Sequence, residues 1–176
     1  MPRKIPDPSR DAWGYAVVKP ADDIALETLG AEAAPSLFAL LRASIHGLAA
    51  RHYTPAQLVA WAPDDGDLPA FAGRLAGTAI IAARRGAMLA GFANLAPDGL
   101  VDFLFVHPDA AGRGIGPRLL AAAIAAGRAQ GMAQLSAHVS LTARPTFEAA
   151  GFAVEAEQQV PLSGEVLTNF RMRLAL

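Results

Sequence analysis

The sequence predicts an α+β fold in which helices cover the faces of a mixed β-sheet. Three observations favour this prediction. Segments of strand and helix character follow one another in the order β, α, α, three strands, α, β, α and two strands. The apolar segment 100–106 is typical of a strand at the centre of a sheet. The chain has 176 residues, 53% of them hydrophobic, which suits one domain with a sizeable core.

The N-terminal part of the chain is predicted to contain a leader and one short strand. Residues 1–12 contain three prolines and charges of both signs. We therefore expect a flexible leader there and a single domain over residues 13–176. Residues 14–19 have strand character, and Pro20 is expected to end that strand.

Helices are predicted next along the chain. Apolar residues recur at helical spacing between residues 31 and 48, and Pro35 lies near the start of that segment. Thr54 and Pro55 are types preferred at an N-cap and at the first helical position, so a second helix is expected to run to about Trp61. Residues 68–75 are expected to form one or two helical turns.

The remaining segments are mostly strands. Residues 77–84 and 87–95 are predicted strands, and the Pro-Asp-Gly turn at 97–99 precedes the central strand. A long helix with one apolar face follows that strand and is expected to end at Gly131. The last predicted elements are a strand at 134–140, a short helix at 142–150, and two strands at 152–161 and 166–174.

Composition excludes several classes of protein. Cysteine is absent, which excludes disulfides, zinc–thiolate sites and a cysteine nucleophile. The formal net charge of −1 gives no basic field for nucleic acid. No signal peptide is recognised, and the uncharged run in the long helix is shorter than the roughly 20 residues that span a bilayer. We expect a cytoplasmic protein with no nucleic-acid, membrane or metal partner.

A glycine-rich loop lies between the central strand and the long helix. It contains Gly112, Gly114 and Gly116, with Arg113 and Arg118 among and after them. The N-terminus of the helix that follows would point its unpaired N–H groups and positive dipole end at this loop, which favours a phosphate ligand. The P-loop and dinucleotide-binding motifs are both absent, because the required lysine and the third glycine are missing.

The segment Val106-His107-Pro108, followed by the loop Gly112–Gly116 and a helix, resembles motif A of the GNAT superfamily of N-acetyltransferases. This resemblance implies a GNAT fold with a mostly antiparallel central sheet, and loop amides that hold the pyrophosphate of acetyl-coenzyme A. The family pattern begins with Arg or Gln, where this chain has Ala111. A tight turn without a ligand is the alternative interpretation of the loop alone.

A second block, from Ser140 to Phe152, is similar to another GNAT signature. Many members have a tyrosine, which protonates the departing thiolate, where this chain has Phe147. An alkyl thiol has a pKa of about 8.5, so its thiolate leaves without much help, and Phe147→Tyr is the probe of a missing acid. A third segment, 52–61, is similar to one in small bacterial acetyltransferases, where it covers the acceptor side of the cleft.

The resemblance implies direct transfer of acetyl to a primary amine of a small molecule or peptide. Asp102 is the candidate base, although a solvated or paired carboxylate at the start of a strand is an equal alternative. Tyr53 and His46 are further catalytic candidates, with His52 and His138 in reserve. The predicted coenzyme-binding residues are Phe105, Val106, Arg113, Gly114, Ile115, Gly116, Arg118, Ser140, Ala143 and Phe147. The predicted acceptor-binding residues are Ser44, His46, Tyr53, Gln57 and Trp61.

Phe105 and Val106 are expected to bond the pantetheine arm through their main chains, as an added strand would. The neutral, aromatic acceptor set favours a partly apolar amine over a polycation. Alternatives that stay open are a sensor that binds acyl-CoA without turnover, a scaffold for protein interactions, a hydroxyl acceptor and a longer acyl group. A homodimer is also possible, since the last strand could pair at a sheet edge.

Overall fold

The structure, a computed structural model, describes residues 23–176. Eight strands form two four-stranded sheets, and helices pack against them. The strands are β1 (Ile24–Leu29), β2 (Ala79–Arg85), β3 (Met88–Leu95), β4 (Leu100–Val101), β5 (Leu104–Val106), β6 (Gln134–Ser140), β7 (Ala153–Leu162) and β8 (Glu165–Ala175). The α-helices are α1 (Ala34–Leu48), α2 (Pro55–Trp61), α3 (Leu68–Leu75), α4 (Ile115–Ala129) and α5 (Arg144–Ala149). Short 3₁₀ turns occupy Ala31–Ala33, Ala49–Arg51 and Pro108–Ala110.

The strand order confirms the predicted mixed, mostly antiparallel arrangement. The first sheet has the order β1-β2-β3-β5, and every pair in it is antiparallel. The second sheet has the order β4-β6-β8-β7, in which β4 and β6 run parallel and the other pairs are antiparallel. The last strand, β8, was predicted to offer a free edge, but it lies between β6 and β7 and is therefore internal. The homodimer stays a prediction.

The central segment 100–106 is split between the two sheets. Its first part, β4, belongs to the second sheet, and its last part, β5, belongs to the first. At the crossing, the fully buried Asn94 accepts a hydrogen bond through Oδ1 from the Phe103 N–H, at 2.7 Å. The Asn94 N–H donates to the Phe103 carbonyl, at 3.1 Å. A side chain thus replaces the main-chain partner that a regular ladder would supply to Phe103.

Helices lie on both sides of the first sheet. The apolar face of α4 packs into one cluster of buried residues, which includes Leu119 and residues of β2, β3 and β6. The helices α1, α2 and α3 form a second cluster with Phe92 and Phe103. Gly91 permits the close contact of α4 with β3, because a Cβ there would lie 3.0 Å from Leu119 Cδ1. The layers hold the split strand between two apolar cores.

The predicted elements between residues 31 and 174 are confirmed, with shifts of a few residues at their ends. The chief difference is the break in the predicted strand 100–106, because a continuous apolar pattern does not reveal a change of sheet partner. Strand β1 was not predicted; its exposed side chains alternate little in polarity. The predicted leader and the strand at 14–19 lie outside the described residues.

One helical stretch resembles a membrane span in length and composition. The helical stretch Ala31–Arg51 has 21 residues, and an 18-residue window within it has a mean hydropathy of 1.2. In the structure, α1 within this stretch buries Leu37, Leu40 and Ile45 in the second cluster. The apolar character of α1 is therefore explained by packing against α3, β3 and β5.

Candidate active site

The two sheets separate between β5 and β6. β4 pairs with β6 at Leu100 and Val101, whereas β5 pairs with β3 instead. A larger cavity of about 370 Å³ and a smaller one of about 150 Å³ meet at this gap. The cavities share five lining residues, Trp61, Leu104, Phe105, Ser140 and Ala143. The separation therefore creates a cleft with two connected compartments.

Within residues 23–176, the main chain of β5 presents an unpaired edge to this cleft. Phe103 and His107 both bond to β3 through their main chains. Main-chain groups alternate in direction along an antiparallel strand, so Phe105 also bonds to β3, opposite Phe92. The main-chain groups of Leu104 and Val106 consequently face the gap. The predicted main-chain role of Phe105 is not supported, and its ring lines both cavities.

The glycine loop ends at the N-terminus of α4. Gly114 is the N-cap and has a left-handed backbone, with φ of 72° and ψ of 15°. Among the residues that the structure describes, no side chain caps this helix, so the amides of Ile115 and Gly116 have no side-chain partner there. Pro117 has no N–H. Gly112 also has a positive φ, of 74°, so the loop folds as the glycine spacing predicts.

The smaller cavity connects this helix N-terminus to the gap. It is lined by Val106 from β5, Gly116 from α4 and Thr146 from α5. Ser44 of α1, which was predicted to bind the acceptor, lies in this cavity and not in the larger one. Ser140 and Ala143 line both cavities, as suits their predicted place near the coenzyme. The sequence analysis missed Thr142 and Thr146, which also line the smaller cavity.

The larger cavity has mostly apolar walls with a few polar groups. Phe38, Phe71 and Phe103 contribute aromatic rings from α1, α3 and the central segment. Val160, Leu162 and Leu167 of the β7–β8 hairpin also line it, as do the polar residues Asp67, Arg74, Asp102, His138 and Asn169. Such a chamber fits a ligand with an apolar body and one polar end.

Asp102 lies in the wall of the larger cavity and is paired with Arg74. Arg74 Nε and Nη2 donate to the two carboxylate oxygens, at 3.0 and 2.6 Å. The Asp102 side chain is 19% exposed, and the guanidinium also stacks on the Phe103 ring at 4.4 Å. Arg74 thus fixes the orientation of the carboxylate. No sequence pattern indicated this pair, because its members are 28 positions apart.

Tyr53 lies at the meeting point of α2, β6 and β8. Its hydroxyl donates to the Thr168 carbonyl at 2.7 Å and accepts from the Leu141 N–H at 2.9 Å. Burial raises the pKa of the Tyr53 hydroxyl, and the bond from Leu141 opposes part of that rise. Because its proton is already donated to a carbonyl, Tyr53 is better suited to joining elements than to protonating a thiolate.

Two of the predicted acceptor-binding residues do not line either cavity. His46 is exposed, and its Nε2 lies 2.8 Å from the Ala62 carbonyl oxygen. Gln57 completes the capping box of α2 with Thr54, and its Nε2 donates to the Val166 carbonyl at 2.8 Å. His46 and Gln57 thus connect secondary-structure elements. Histidine and glutamine side chains can bond to backbone groups or to a ligand, and the sequence alone could not distinguish these two roles.

Trp61 and His138 line the cleft, whereas His52 does not. Trp61 lines both cavities and contacts the rings of Tyr53 and Phe105 edge-on. His138 lines the larger cavity and its Nδ1 lies 3.0 Å from Gln158 Oε1. His52 is exposed and bonds to a threonine side chain. Among residues 23–176, no group of three or more His, Cys, Asp or Glu side chains could hold a metal ion.

Phe147 is buried beside the junction of the cavities. It is 3% exposed and its ring meets that of Phe152 edge-on, at a centroid distance of 5.0 Å. It also lines the larger cavity. The residue therefore combines core packing with a position in the wall of the larger cavity.

The comparisons with known proteins agree with this geometry. The family model described as an acetyltransferase (GNAT) domain matches residues 49–174. The chain belongs to the GNAT family, and it is an acetyltransferase. It is 34% identical over 125 residues to the uncharacterized N-acetyltransferase YafP of Escherichia coli (strain K12). The matched region covers 71% of this chain and 78% of that protein.

Solved structures show the same fold. A GCN5-related N-acetyltransferase from Rhodopseudomonas palustris superposes with a TM-score of 0.80 at 34% identity, covering 86% of this chain and 95% of that one. The PaiA N-acetyltransferase from Thermoplasma acidophilum, solved in complex with coenzyme A, gives a TM-score of 0.65 at 17% identity. That match covers 87% of this chain and 99% of the other, and it shows the fold alone.

Proposed function

We propose that this protein transfers acetyl from acetyl-CoA to the primary amine of a small, partly apolar molecule. The observation that supports this most is the meeting of two cavities at the unpaired edge of β5. One compartment leads to a helix N-terminus suited to phosphate, and the other has apolar walls suited to an acceptor. Both substrates would be bound together, and the amine would attack the thioester directly.

The coenzyme would lie in the smaller cavity. Its pyrophosphate would bind the amides of Ile115 and Gly116, where the dipole of α4 favours negative charge. Arg113 and Arg118 add positive charge to the same loop. The pantetheine arm would bond to the main chains of Leu104 and Val106, as an added strand. This arrangement holds the thioester at the gap in a fixed orientation, which supplies much of the rate of such reactions.

The acceptor must attack as a neutral amine. Asp102 is the proposed base, because it lies in the acceptor cavity and its carboxylate is oriented by Arg74. The proton removed from the ammonium group would pass to Asp102 directly or through water. The nitrogen lone pair then forms the C–N bond, the C–S bond breaks, and the nitrogen gives up its second proton to water as the amide forms. An outward main-chain N–H of β5 is suited to stabilising the charge that develops on the thioester oxygen.

The leaving thiolate would gain its proton from water. Phe147 has no proton to give, and the Tyr53 proton is already bonded to the Thr168 carbonyl. Because the thiol pKa of about 8.5 makes the thiolate a tolerable leaving group, the absence of an acid is expected to cost little. The proposed chemistry therefore depends on orientation and on amine deprotonation.

Thiol release and product mass test this proposal. The protein is mixed with acetyl-CoA and with 2-phenylethylamine, hexylamine or spermidine, and 2-phenylethanol serves as the matched control with a hydroxyl. The expected result is free thiol and N-acetylated product with the two apolar amines, and much less with spermidine or the alcohol. Calorimetric binding of acetyl-CoA without turnover of any acceptor would favour a sensor. Absence of coenzyme binding would favour an interaction scaffold.

A further inference from the structure

We propose that Asn169 binds the nitrogen of the acceptor amine through its side-chain oxygen. This inference rests on the proposed amine acetylation and assigns a residue to the acceptor side of the cleft. It comes from a feature of Asn169 that nothing else in the fold explains: Oδ1 is buried and has no hydrogen-bond partner.

The position of Asn169 in β8 directs its side chain into the cleft. Its neighbour Phe170 and the next alternate residue, Met172, pack into the cluster around α4. Side chains alternate along a strand, so Asn169 points to the opposite face, on which Leu167 joins the other cluster. Asn169 accordingly lines the larger cavity.

The register places this side chain next to the reaction centre. Asn169 lies opposite Ser140 on β6, and Ser140 lines both cavities. Directly opposite residues on one face of an antiparallel pair have Cβ atoms about 5 Å apart. Asn169 is therefore one strand away from the point where acceptor and coenzyme compartments join.

An unpaired oxygen in such a place indicates a ligand that donates a hydrogen bond. Buried polar groups in folded proteins nearly always have a partner, since leaving one unpaired is costly. Among residues 23–176, the other buried side-chain atom without a partner is Arg42 Nε, and Arg42 lines neither cavity. Asn169 Oδ1 is thus an unsatisfied acceptor in the wall of the larger cavity. It is closed to solvent in this structure, so a turn of the side-chain amide would bring it to a bound molecule.

A primary amine has the chemistry that this oxygen requires. One N–H donates to Asn169 Oδ1, and the lone pair stays free to attack the thioester carbon. Asn169 takes no proton in the reaction; the proton leaves to Asp102 or water, as proposed above. The bond would orient the nitrogen, and an amine without any N–H would lose it.

The test compares Asn169→Leu, Asn169→Asp and a matched control, Gln130→Leu. Gln130 is exposed at the end of α4 and lines neither cavity. With 2-phenylethylamine as the probe, Asn169→Leu is expected to raise the KM of the amine about tenfold or more, the size typical of one lost hydrogen bond. The KM of acetyl-CoA should not change. Asn169→Asp keeps an acceptor oxygen and should stay within about threefold of the wild type, as should Gln130→Leu.

Each outcome decides a different claim. Equal amine KM values for the wild type and Asn169→Leu would overturn the inference while leaving the proposed function intact. A wild type that binds acetyl-CoA but acetylates no amine would overturn the proposed function itself. If Asn169→Leu does not fold, as judged by its thermal midpoint, Asn169→Ala takes its place with the same expected result.

Discussion

The glycine loop proposed to bind the coenzyme and the larger cavity proposed to bind the acceptor are built in different ways. The loop is made of consecutive residues, and its proposed ligand contacts are backbone amides that a helix leaves unpaired. The acceptor cavity is made of side chains from several helices and strands, held by bonds between residues far apart in the chain, such as Arg74 and Asp102. A site made of backbone amides therefore tolerates most changes of side chain, whereas a site made of side chains depends on the identity of its residues.

The largest expected effect comes from adding a charge to the loop. Gly114→Asp places a carboxylate where the pyrophosphate would bind, and it should weaken acetyl-CoA binding by at least about 100-fold. Calorimetric titration measures this. Gly114→Asn is the matched control, because asparagine has the shape of aspartate and the same strain at the positive φ of 72°, but carries no charge. Equal losses in both variants would show that backbone strain, not charge, is responsible.

The next effect compares two asparagines, one paired and one unpaired. Asn94→Ala leaves the buried Phe103 N–H without an acceptor, and it should lower the free energy of unfolding by about 2 kcal/mol. Asn169→Ala removes an oxygen that has no partner, so we expect a change near zero. Urea unfolding of both variants measures the difference. A similar loss in both would contradict the assignment of Asn169 Oδ1 to a ligand.

Tyr53 gives a smaller, pH-dependent effect. Tyr53→Phe removes two hydrogen bonds and should cost about 1–2 kcal/mol near neutral pH. Burial raises the Tyr53 pKa in the folded state above the ordinary 10.0, so this stabilisation is complete below pH 10. It should decrease as the pH rises above that value toward the folded-state pKa. Unfolding curves of both proteins across this range measure it, and a difference that grows with pH would contradict the account.

The smallest expected effect concerns Phe147. Phe147→Tyr should change kcat for 2-phenylethylamine by less than about threefold, because the thiolate can leave without a proton donor. Phe147→Leu is the control for packing, since it removes the ring that meets Phe152 and adds no hydroxyl. A tenfold gain in the tyrosine variant alone would show that the reaction is limited by a missing acid.

The sequence predicts the loop well and the acceptor cavity poorly, for a physical reason. Glycine spacing and a helix start are local, so the positions of Gly114 and Ile115 follow from neighbouring residues. Gln57 and His46 bond to the carbonyl oxygens of Val166 and Ala62, respectively, and no local sequence pattern reveals these distant partners. The sequence did not reveal the break in the central strand for the same reason, because that break depends on the side chain of Asn94 in β3.

The most direct test of the account is amide hydrogen exchange at β5, measured by NMR with and without acetyl-CoA. We propose that the outward edge of β5 and the start of α4 together hold the coenzyme. Acetyl-CoA is therefore expected to slow exchange at Leu104, Val106, Ile115 and Gly116, and to leave the amides of β1 unchanged. Binding of acetyl-CoA with no change in exchange at these four positions would contradict it.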